Sequence, residues 1–240
     1  KCGTTALPMH LAIFNIPFLL AAKLNIPLIL WGENSAFEYG AKKKNDAGFR
    51  LTNEWLKTYG VTQGTTADAW VDEDLFRKDL IPYFGPNPDD LELEGIEVVF
   101  LGHYFEWDPQ TTKTVAERNG FKANDTSRVG VYNFADIDDD FISIHHWLKW
   151  YKFGFTRSFD NLSLEIRNKR ISRDQALKEI SALGDETPNA DIEHFCSFVG
   201  IKVDDFFHIA EKFRNKDIWK LTKDGRWYIP NFILKDWNWI

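Results

Sequence analysis

The sequence predicts an α/β fold, in which part of a parallel sheet with its helices is followed by a mainly helical C-terminal region. Two short apolar runs, at 27–31 and 96–100, each end in a polar turn. This order of strand, turn and helix is typical of parallel α/β sheets. Three capped helical patterns then follow one another in the last third of the chain. We therefore predict an α/β domain at 1–135, with an irregular insertion near 41–95, and a helical region at 136–240.

The first helix and the first strand come from one hydrophobic stretch, LAIFNIPFLLAAKLNIPLILW. Because it is interrupted by prolines and polar residues, we predict a buried helix at 6–23 and a buried strand at 27–31. Neither part reaches the length of about 20 residues that a membrane-spanning helix needs. We therefore expect no membrane span. The interrupting residues are Pro17, Lys23, Asn25 and Pro27.

The middle of the chain contributes one more helix and one more strand to the predicted sheet. A helix is expected around 53–59, whereas the proline- and glycine-rich segment 82–95 is expected to be irregular. Residues 96–100 are apolar without strict alternation, which is typical of a central strand. The helical pattern after this strand ends on Gly120.

The helices of the C-terminal region are predicted from their capping residues. Ser172 and Gln175 form a capping box for a helix that ends on Gly184. The next helix is expected to have Thr187 at its cap, Pro188 at its first position and Gly200 after its end. The last helix should be capped by Asp204 or Asp205, and a turn is expected at Asp224 and Gly225.

Composition narrows the class of protein. A net charge of −7 argues against a surface that binds a polyanion. Ten Trp and twenty Phe are compatible with a bulky core, a sugar-stacking site or a partner surface. Only Cys2 and Cys196 are present, so a reducing compartment is the simpler assumption. We therefore expect a cytoplasmic protein.

The polar residues after the first strand form one candidate binding site. Gly32, Glu33, Asn34 and Glu38 follow the apolar run. Ligands bind at the carboxyl ends of parallel strands, and a glycine allows a ligand to approach the backbone closely. An ordinary turn is the alternative interpretation.

A basic cluster at 149–173 forms a second candidate site. If 160–170 is one helix, several of its polar side chains lie along one side. Arginines that converge there would suit a carboxylate or a diphosphate. The alternative is a solvated face with internal salt bridges. The cluster contains Lys149, Lys152, Arg157, Arg167, Lys169, Arg170 and Arg173, with Asp160 and Glu165 between them.

The histidines and cysteines give weaker signals. His145 and His146 are adjacent on a predicted helix, so they point in different directions and do not easily share a metal ion. Cys196 lies on an apolar side of its helix and is expected in the core. Cys2 is a weak candidate metal ligand.

Four segments in this order carry a resemblance to a known family: NIPLILWGEN, EWDPQTTKTVAERNGF, KFGFTRSFDNLSLEIRNKRISRDQA and FRNKDIW. They resemble the N-acetyl sugar amidotransferases, which are ATP-pyrophosphatases of the PP-loop type in bacterial surface-polysaccharide, lipopolysaccharide O-antigen and flagellin-glycan biosynthesis. The resemblance covers nearly the whole chain, and the KFG..R..D..S..IR.....R pattern is its most specific part. Family members carry an SGGxDS-like loop and cysteine pairs that this sequence does not show. Because the chain starts at KCGTTALP, we expect a further segment with leading strands before it.

The resemblance implies an ATP-dependent conversion of an acetamido group to an acetamidino group on an acidic, nucleotide-linked sugar. The amide oxygen would attack the α-phosphate of ATP to give an adenylylated imidate, and ammonia would then displace AMP. The implied cofactors are ATP and Mg²⁺, with Zn²⁺ on cysteines mostly absent from this chain. The implied partners are a glutaminase subunit and a histidine-biosynthesis-like companion that supply ammonia, and the chain alone is expected to be inactive.

The resemblance also assigns roles to residues. Glu33 and Asn34 would be catalytic, and Gly32, Glu33 and Glu38 would bind ATP. Cys2 would be the metal ligand. The residues that would bind the sugar substrate are Lys152, Arg157, Asp160, Arg167 and Arg173.

Two other functions remain open from the sequence. A PP-loop enzyme that modifies tRNA would share the strand and the adenylylation chemistry, but the acidic charge disfavours it. A non-catalytic carbohydrate-binding or assembly module would explain the tryptophans without ATP.

Overall fold

The computed structural model describes residues 3–32, 34–35, 48–60, 62, 65–105 and 107–239. It is a mixed α/β structure with a small parallel sheet and a helical C-terminal region, as the sequence predicts. The chain divides into two compact units, Ala6–Pro109 and Lys1–Thr5 with Gln110–Ile240. The predicted domain boundary lies at residue 135, whereas the two compact units divide between Pro109 and Gln110. The domain assignment itself stays a prediction.

The unit Ala6–Pro109 contains the parallel sheet. Strand β1 (Leu28–Trp31) pairs with β2 (Glu97–Phe100), with Leu28 opposite Glu97 and Trp31 opposite Phe100. This pairing confirms both predicted strands and their parallel order. The segment 82–95, which is predicted to be irregular, contains the end of a 3₁₀ helix and a short α-helix. The helices of this unit are α1 (Leu7–Leu24), α2 (Asn53–Thr58), the 3₁₀ helices Ala67–Trp70 and Arg77–Tyr83, α3 (Pro88–Leu93) and α4 (Leu101–Tyr104).

Strand β1 is less buried than the sequence predicts. Ile29 and Trp31 pack on the core, and the Trp31 ring stacks on Phe14 of α1 with 5.2 Å between ring centroids. The alternate residues Leu28 and Leu30 are 44% and 58% exposed. The prediction of a fully buried strand is therefore wrong for β1, because only one of its two faces is covered within the described residues. Strand β2 is buried from Val98 onward.

Helix α1 is long and apolar enough to cross a membrane, by length and composition alone. The expectation that no apolar segment approaches a membrane span was therefore too strong, since the helix extends through Pro17 to Leu24. The same test is passed by core helices of soluble proteins. Phe14 and Phe18 of α1 are indeed buried in the core of their unit.

The other unit is helical and ends in a small hairpin. Helix α8 has the predicted capping box of Ser172 and Gln175, and Gly184 is its C-cap. Helix α9 begins one residue later than predicted, with Pro188 as N-cap. The expected aspartate cap of α10 is wrong. Its N-cap is Lys202, and both aspartates lie in the first helical turn, where negative charge favours the helix dipole. The elements are α5 (Pro109–Arg118), α6 (Ile142–Phe153), α7 (Arg157–Arg167), α8 (Arg173–Leu183), α9 (Asn189–Val199), α10 (Val203–Glu211), β3 (Lys220–Leu221) and β4 (Trp227–Tyr228).

The core of this unit forms where α6, α9 and α10 meet. Ile144 and Trp147 of α6 pack with Ile192 of α9 and Phe206 of α10. Cys196 is buried in the same cluster, which confirms its predicted place in the core. Antiparallel pairing of β3 with β4 confirms the turn predicted between them. The helices α6 and α7 also contribute charged side chains to a buried cluster.

Candidate functional site

The predicted nucleotide-binding edge is only partly within the described residues. Gly32 follows the last residue of β1, and no described atom lies within 4 Å of where its Cβ would be. Asn34 is buried. The predicted residues Glu33, Glu38 and Cys2 lie outside the described residues.

The described part of this edge does not by itself fit a magnesium–triphosphate site. A Mg²⁺ ion needs oxygen ligands such as carboxylates, and the described residues that directly follow β1 are Gly32, Asn34 and Ser35, none of which carries a carboxylate. The Ser35 hydroxyl donates to the Tyr59 carbonyl at 2.6 Å. No group of three or more histidine, cysteine, aspartate or glutamate side chains that could hold a metal occurs among the residues the structure describes. The roles of ATP and Mg²⁺ therefore stay predictions.

A buried charge cluster joins α6 and α7 to the segment before α6. Arg157 donates from Nε to Asp136 Oδ2 at 2.9 Å and from a terminal nitrogen to Asp136 Oδ1 at 3.4 Å. His146 Nε2 lies 3.1 Å from Asp136 Oδ1. Lys149 donates to Asp160, and an Arg157 terminal nitrogen lies 3.8 Å from the same carboxylate. We call these five residues the buried charge cluster.

Local backbone geometry places these side chains. His146 and Lys149 are three residues apart on α6, and Arg157 and Asp160 have the same spacing on α7, so each pair shares one helix face. Asp136 has a φ of 57°, in the left-handed region that is uncommon for residues other than glycine. In this conformation the Asp136 carboxylate contacts His146 on α6 and Arg157 on α7.

The charges of the cluster set the protonation of its members. Burial works against ionisation of Asp136, but the His146 hydrogen bond and the Arg157 charge outweigh it and hold the pKa of Asp136 well below its usual range. Burial, with the charges of Arg157 and Lys149, lowers the pKa of His146 despite the opposing effect of Asp136. A neutral His146 that donates from Nε2 to Asp136 leaves Nδ1 as an acceptor. This buried Nδ1 has no hydrogen-bond partner within the described part of the chain.

The buried charge cluster is balanced in charge. Lys149 and Arg157 carry two positive charges, and Asp136 and Asp160 carry two negative charges. The sequence left open a solvated face with internal salt bridges. The salt bridges are present, but the residues that form them are buried and not solvated. Arg157 and Asp160 are each 8% exposed. Their predicted contact with a substrate anion is not tested by this geometry and stays a prediction.

A second buried network lies further along α7. Tyr132 donates to Glu165, and Arg170 donates to the same carboxylate, with 2.8 Å between one terminal nitrogen and Oε1. Burial and the hydrogen bond to Glu165 raise the pKa of Tyr132 above its usual value. The helix predicted at 160–170 in fact spans Arg157–Arg167, so Arg170 lies beyond its end.

The other predicted substrate residues are less buried than Arg157 and Asp160. Lys152 is half-buried and donates from Nζ to the Gly3 carbonyl at 2.8 Å. Arg167 and Arg173 are exposed. Arg157 and Arg167 lie ten positions apart on one helix, which corresponds to about 15 Å along its axis. The structure therefore brings Arg157 and Asp160 together and places Arg167 at the other end of their helix.

Sequence reasoning missed two members of the cluster as site residues. Asp136 precedes a run of aspartates, and its left-handed backbone has no signature in the sequence. His145 and His146 suggest a metal site or acid–base chemistry from the sequence, and neither interpretation points to Asp136. The spacing of three residues between His146 and Lys149 on a predicted helix was the signal that could have placed both side chains on one face.

Comparison with known protein families finds a match to part of the chain. Residues 126–232 match the family model described as LPS biosynthesis protein WbpG-like, C-terminal domain. A search of curated proteins finds no significant match. All five residues of the buried charge cluster lie within the matched segment. The match supports a family of lipopolysaccharide biosynthesis.

Proposed function

We propose that this chain is the sugar-modifying part of an ATP-dependent amidotransferase in lipopolysaccharide biosynthesis. The reaction would convert the acetamido group of an acidic, nucleotide-linked sugar into an acetamidino group. The observation that carries the proposal is the family match over residues 126–232, which contains the KFG..R..D..S..IR.....R pattern. The match supports a role in lipopolysaccharide biosynthesis, and the amidotransferase reaction is our proposal.

In this proposal the buried charge cluster holds α6 and α7 in the arrangement that binds the sugar. The ion pair of Lys149 with Asp160 joins α6 directly to α7. Asp136 joins the same helices through its contacts with His146 and Arg157, and none of these side chains is solvent-exposed.

The exposed residues Arg167 and Arg173 are then the candidates for direct contact with the anionic part of the sugar, since a guanidinium can bind a phosphate or carboxylate through two parallel hydrogen bonds. Lys152 is less buried than Arg157 and Asp160 and more buried than the two exposed arginines.

The remaining parts of the reaction would come from bound ATP, from a partner and from the residues that follow β1. ATP, when bound, would activate the amide oxygen as a leaving group. Ammonia from a glutaminase partner would be the nucleophile. We propose that Glu33, Asn34, Gly32 and Glu38 serve the nucleotide, as the resemblance implies.

The products of ATP test the proposed reaction. The protein from its intact gene, together with an N-acetylated acidic nucleotide sugar and ammonium, should convert ATP into AMP and pyrophosphate. Turnover should require all three reactants, because the activated amide exists only with the sugar bound and is resolved only by ammonia. Chromatography of the nucleotides measures the products. Formation of ADP and phosphate would contradict the proposal.

Matched arginine variants probe the sugar contact in the same assay. Arg167→Lys and Arg173→Lys keep the charge but lose the planar fork, so each should raise the KM for the sugar severalfold while the melting temperature stays unchanged. Lys178→Arg on the exposed side of α8 is the control. Unchanged KM values in both variants would remove these residues from the substrate site.

A carbohydrate-binding module without ATP chemistry is the second candidate. A cavity lined by tryptophans of α6 and of the C-terminal tail favours it, because stacking of a sugar on these rings requires no nucleotide. If the protein binds the sugar but the sugar does not change the rate of ATP turnover, the result would support this second function.

A further inference from the structure

A cavity in the helical unit is lined mainly by aromatic side chains. Its volume is about 190 Å³. This volume is smaller than the roughly 300–1,000 Å³ of sites for drug-sized ligands, so the cavity suits one ring rather than a chain of rings. Its tryptophans are Trp147, Trp150, Trp219, Trp227, Trp237 and Trp239.

The tail of the chain brings these rings together against α6. The Trp150 ring lies edge-on to Trp219, with 4.9 Å between centroids, and 5.6 Å from Trp237. Trp239 is nearly parallel to Trp150, at 12° and 6.3 Å. The indole nitrogen of Trp219 donates to the Trp150 carbonyl at 3.2 Å. These contacts fix the aromatic walls in place before any ligand arrives.

Acidic and hydroxyl groups form the polar part of the lining. Asp185, Glu186 and Thr187 come from the turn between α8 and α9. Ser158 donates to Glu186 Oε1 at 2.6 Å. Asp185 Oδ1 accepts from the backbone and the hydroxyl of Thr187 at 3.1 and 2.7 Å. The carboxylates are therefore oriented by hydrogen bonds to neighbouring residues.

The positive charge in the lining is already neutralised. Arg214 makes two hydrogen bonds of 2.8 Å to Glu211. Its guanidinium also lies over the rings of Tyr151 and Trp219, at 4.1 and 4.6 Å from their centroids. A ligand in the cavity therefore meets the carboxylates of Asp185 and Glu186. The cation among the described lining residues, Arg214, is already paired with Glu211. Such a lining disfavours a carboxylate or phosphate by charge repulsion.

We propose that this cavity binds one neutral pyranose ring of a glycan. A pyranose has apolar C–H faces, which tryptophan rings cover well, and a rim of hydroxyl donors, which Asp185 and Glu186 accept. The inference goes beyond the proposed function, because the acidic sugar of that reaction would be repelled by the same two carboxylates. It assigns the neutral ring to the tryptophan cavity and leaves the anionic part of the substrate to residues elsewhere.

Sugar binding in the absence of ATP and ammonia tests the inference. N-acetylglucosamine should change the tryptophan fluorescence of the full chain, whereas glucuronic acid at equal concentration should not. Asp185→Asn keeps the Oδ1 acceptor and removes the charge, so it should weaken binding of the neutral sugar about tenfold. Trp237→Ala should abolish detectable binding.

The matched control is Trp70→Ala, which removes a partly buried tryptophan from the other compact unit and should leave the sugar affinity unchanged. Equal or tighter binding of glucuronic acid would overturn the inference, as would no binding of either sugar. An Asp185→Asn variant with parental affinity would also overturn it. Because no ATP is consumed, these results are distinct from failure of the proposed reaction.

Discussion

Replacing Asp160 by Asn is expected to lower the free energy of unfolding by about 3–5 kcal/mol. The carboxylate is 8% exposed and pairs with Lys149, with Arg157 nearby. Asparagine would leave two buried cations facing one remaining carboxylate, Asp136. Removal of one partner from a buried ion pair is costly because the other charge stays desolvated. Urea denaturation followed by circular dichroism measures the change.

The control for this variant is Glu179→Gln on α8, whose side chain is exposed. It should leave the unfolding midpoint unchanged, because an exposed charge contributes little to stability. A loss below about 1 kcal/mol for Asp160→Asn would mean that water screens the cluster as it does a surface ion pair. The assignment of a structural role to the buried charge cluster would then fail.

Replacing Gly130 by Ala is expected to cost about 3 kcal/mol. Gly130 has a φ of 68°, and a Cβ there would lie 2.2 Å from Asn161 Oδ1 and 2.9 Å from Arg157 Cγ. The left-handed backbone contributes roughly 1–2 kcal/mol of this cost. Displacement of Asn161, whose Oδ1 accepts from the Val131 amide at 3.1 Å, contributes roughly 1–3 kcal/mol more.

Gly200→Ala separates the two contributions to this cost. Gly200 has a similar φ of 73°, and no described atom lies within 4 Å of its Cβ position. It should therefore show the backbone cost alone, at roughly 1–2 kcal/mol. Equal destabilisation of the two variants would show that the side chains around Gly130 can move aside without cost.

Features that depend on a few neighbouring residues were predictable from the sequence. The capping box of Ser172 and Gln175 and the glycine after α9 were confirmed because such signals act within one helical turn. The two parallel strands were predictable from their order relative to the helices. The aspartate cap of α10 failed because Asp204 and Asp205 also suit the first turn of a helix.

Features that depend on distant residues were not predictable. Asp136 and Arg157 are 21 positions apart, and nothing in the sequence selects this pair over the other acidic and basic residues nearby. The basic cluster therefore looked uniform, although Arg157 is buried and Arg167 is exposed. The exposure of Leu28 and Leu30 was missed for a similar reason, since the cover on a strand face depends on which elements pack against it.

The fate of the ammonia nitrogen tests the proposed function most directly. The protein from its intact gene would be incubated with ATP, ¹⁵N-labelled ammonium and an N-acetylated acidic nucleotide sugar. The account predicts that the product carries ¹⁵N in an acetamidino group in place of the acetamido oxygen, as detected by mass spectrometry and ¹⁵N nuclear magnetic resonance. An unlabelled sugar recovered after complete consumption of ATP, or label found at any other position, would contradict it.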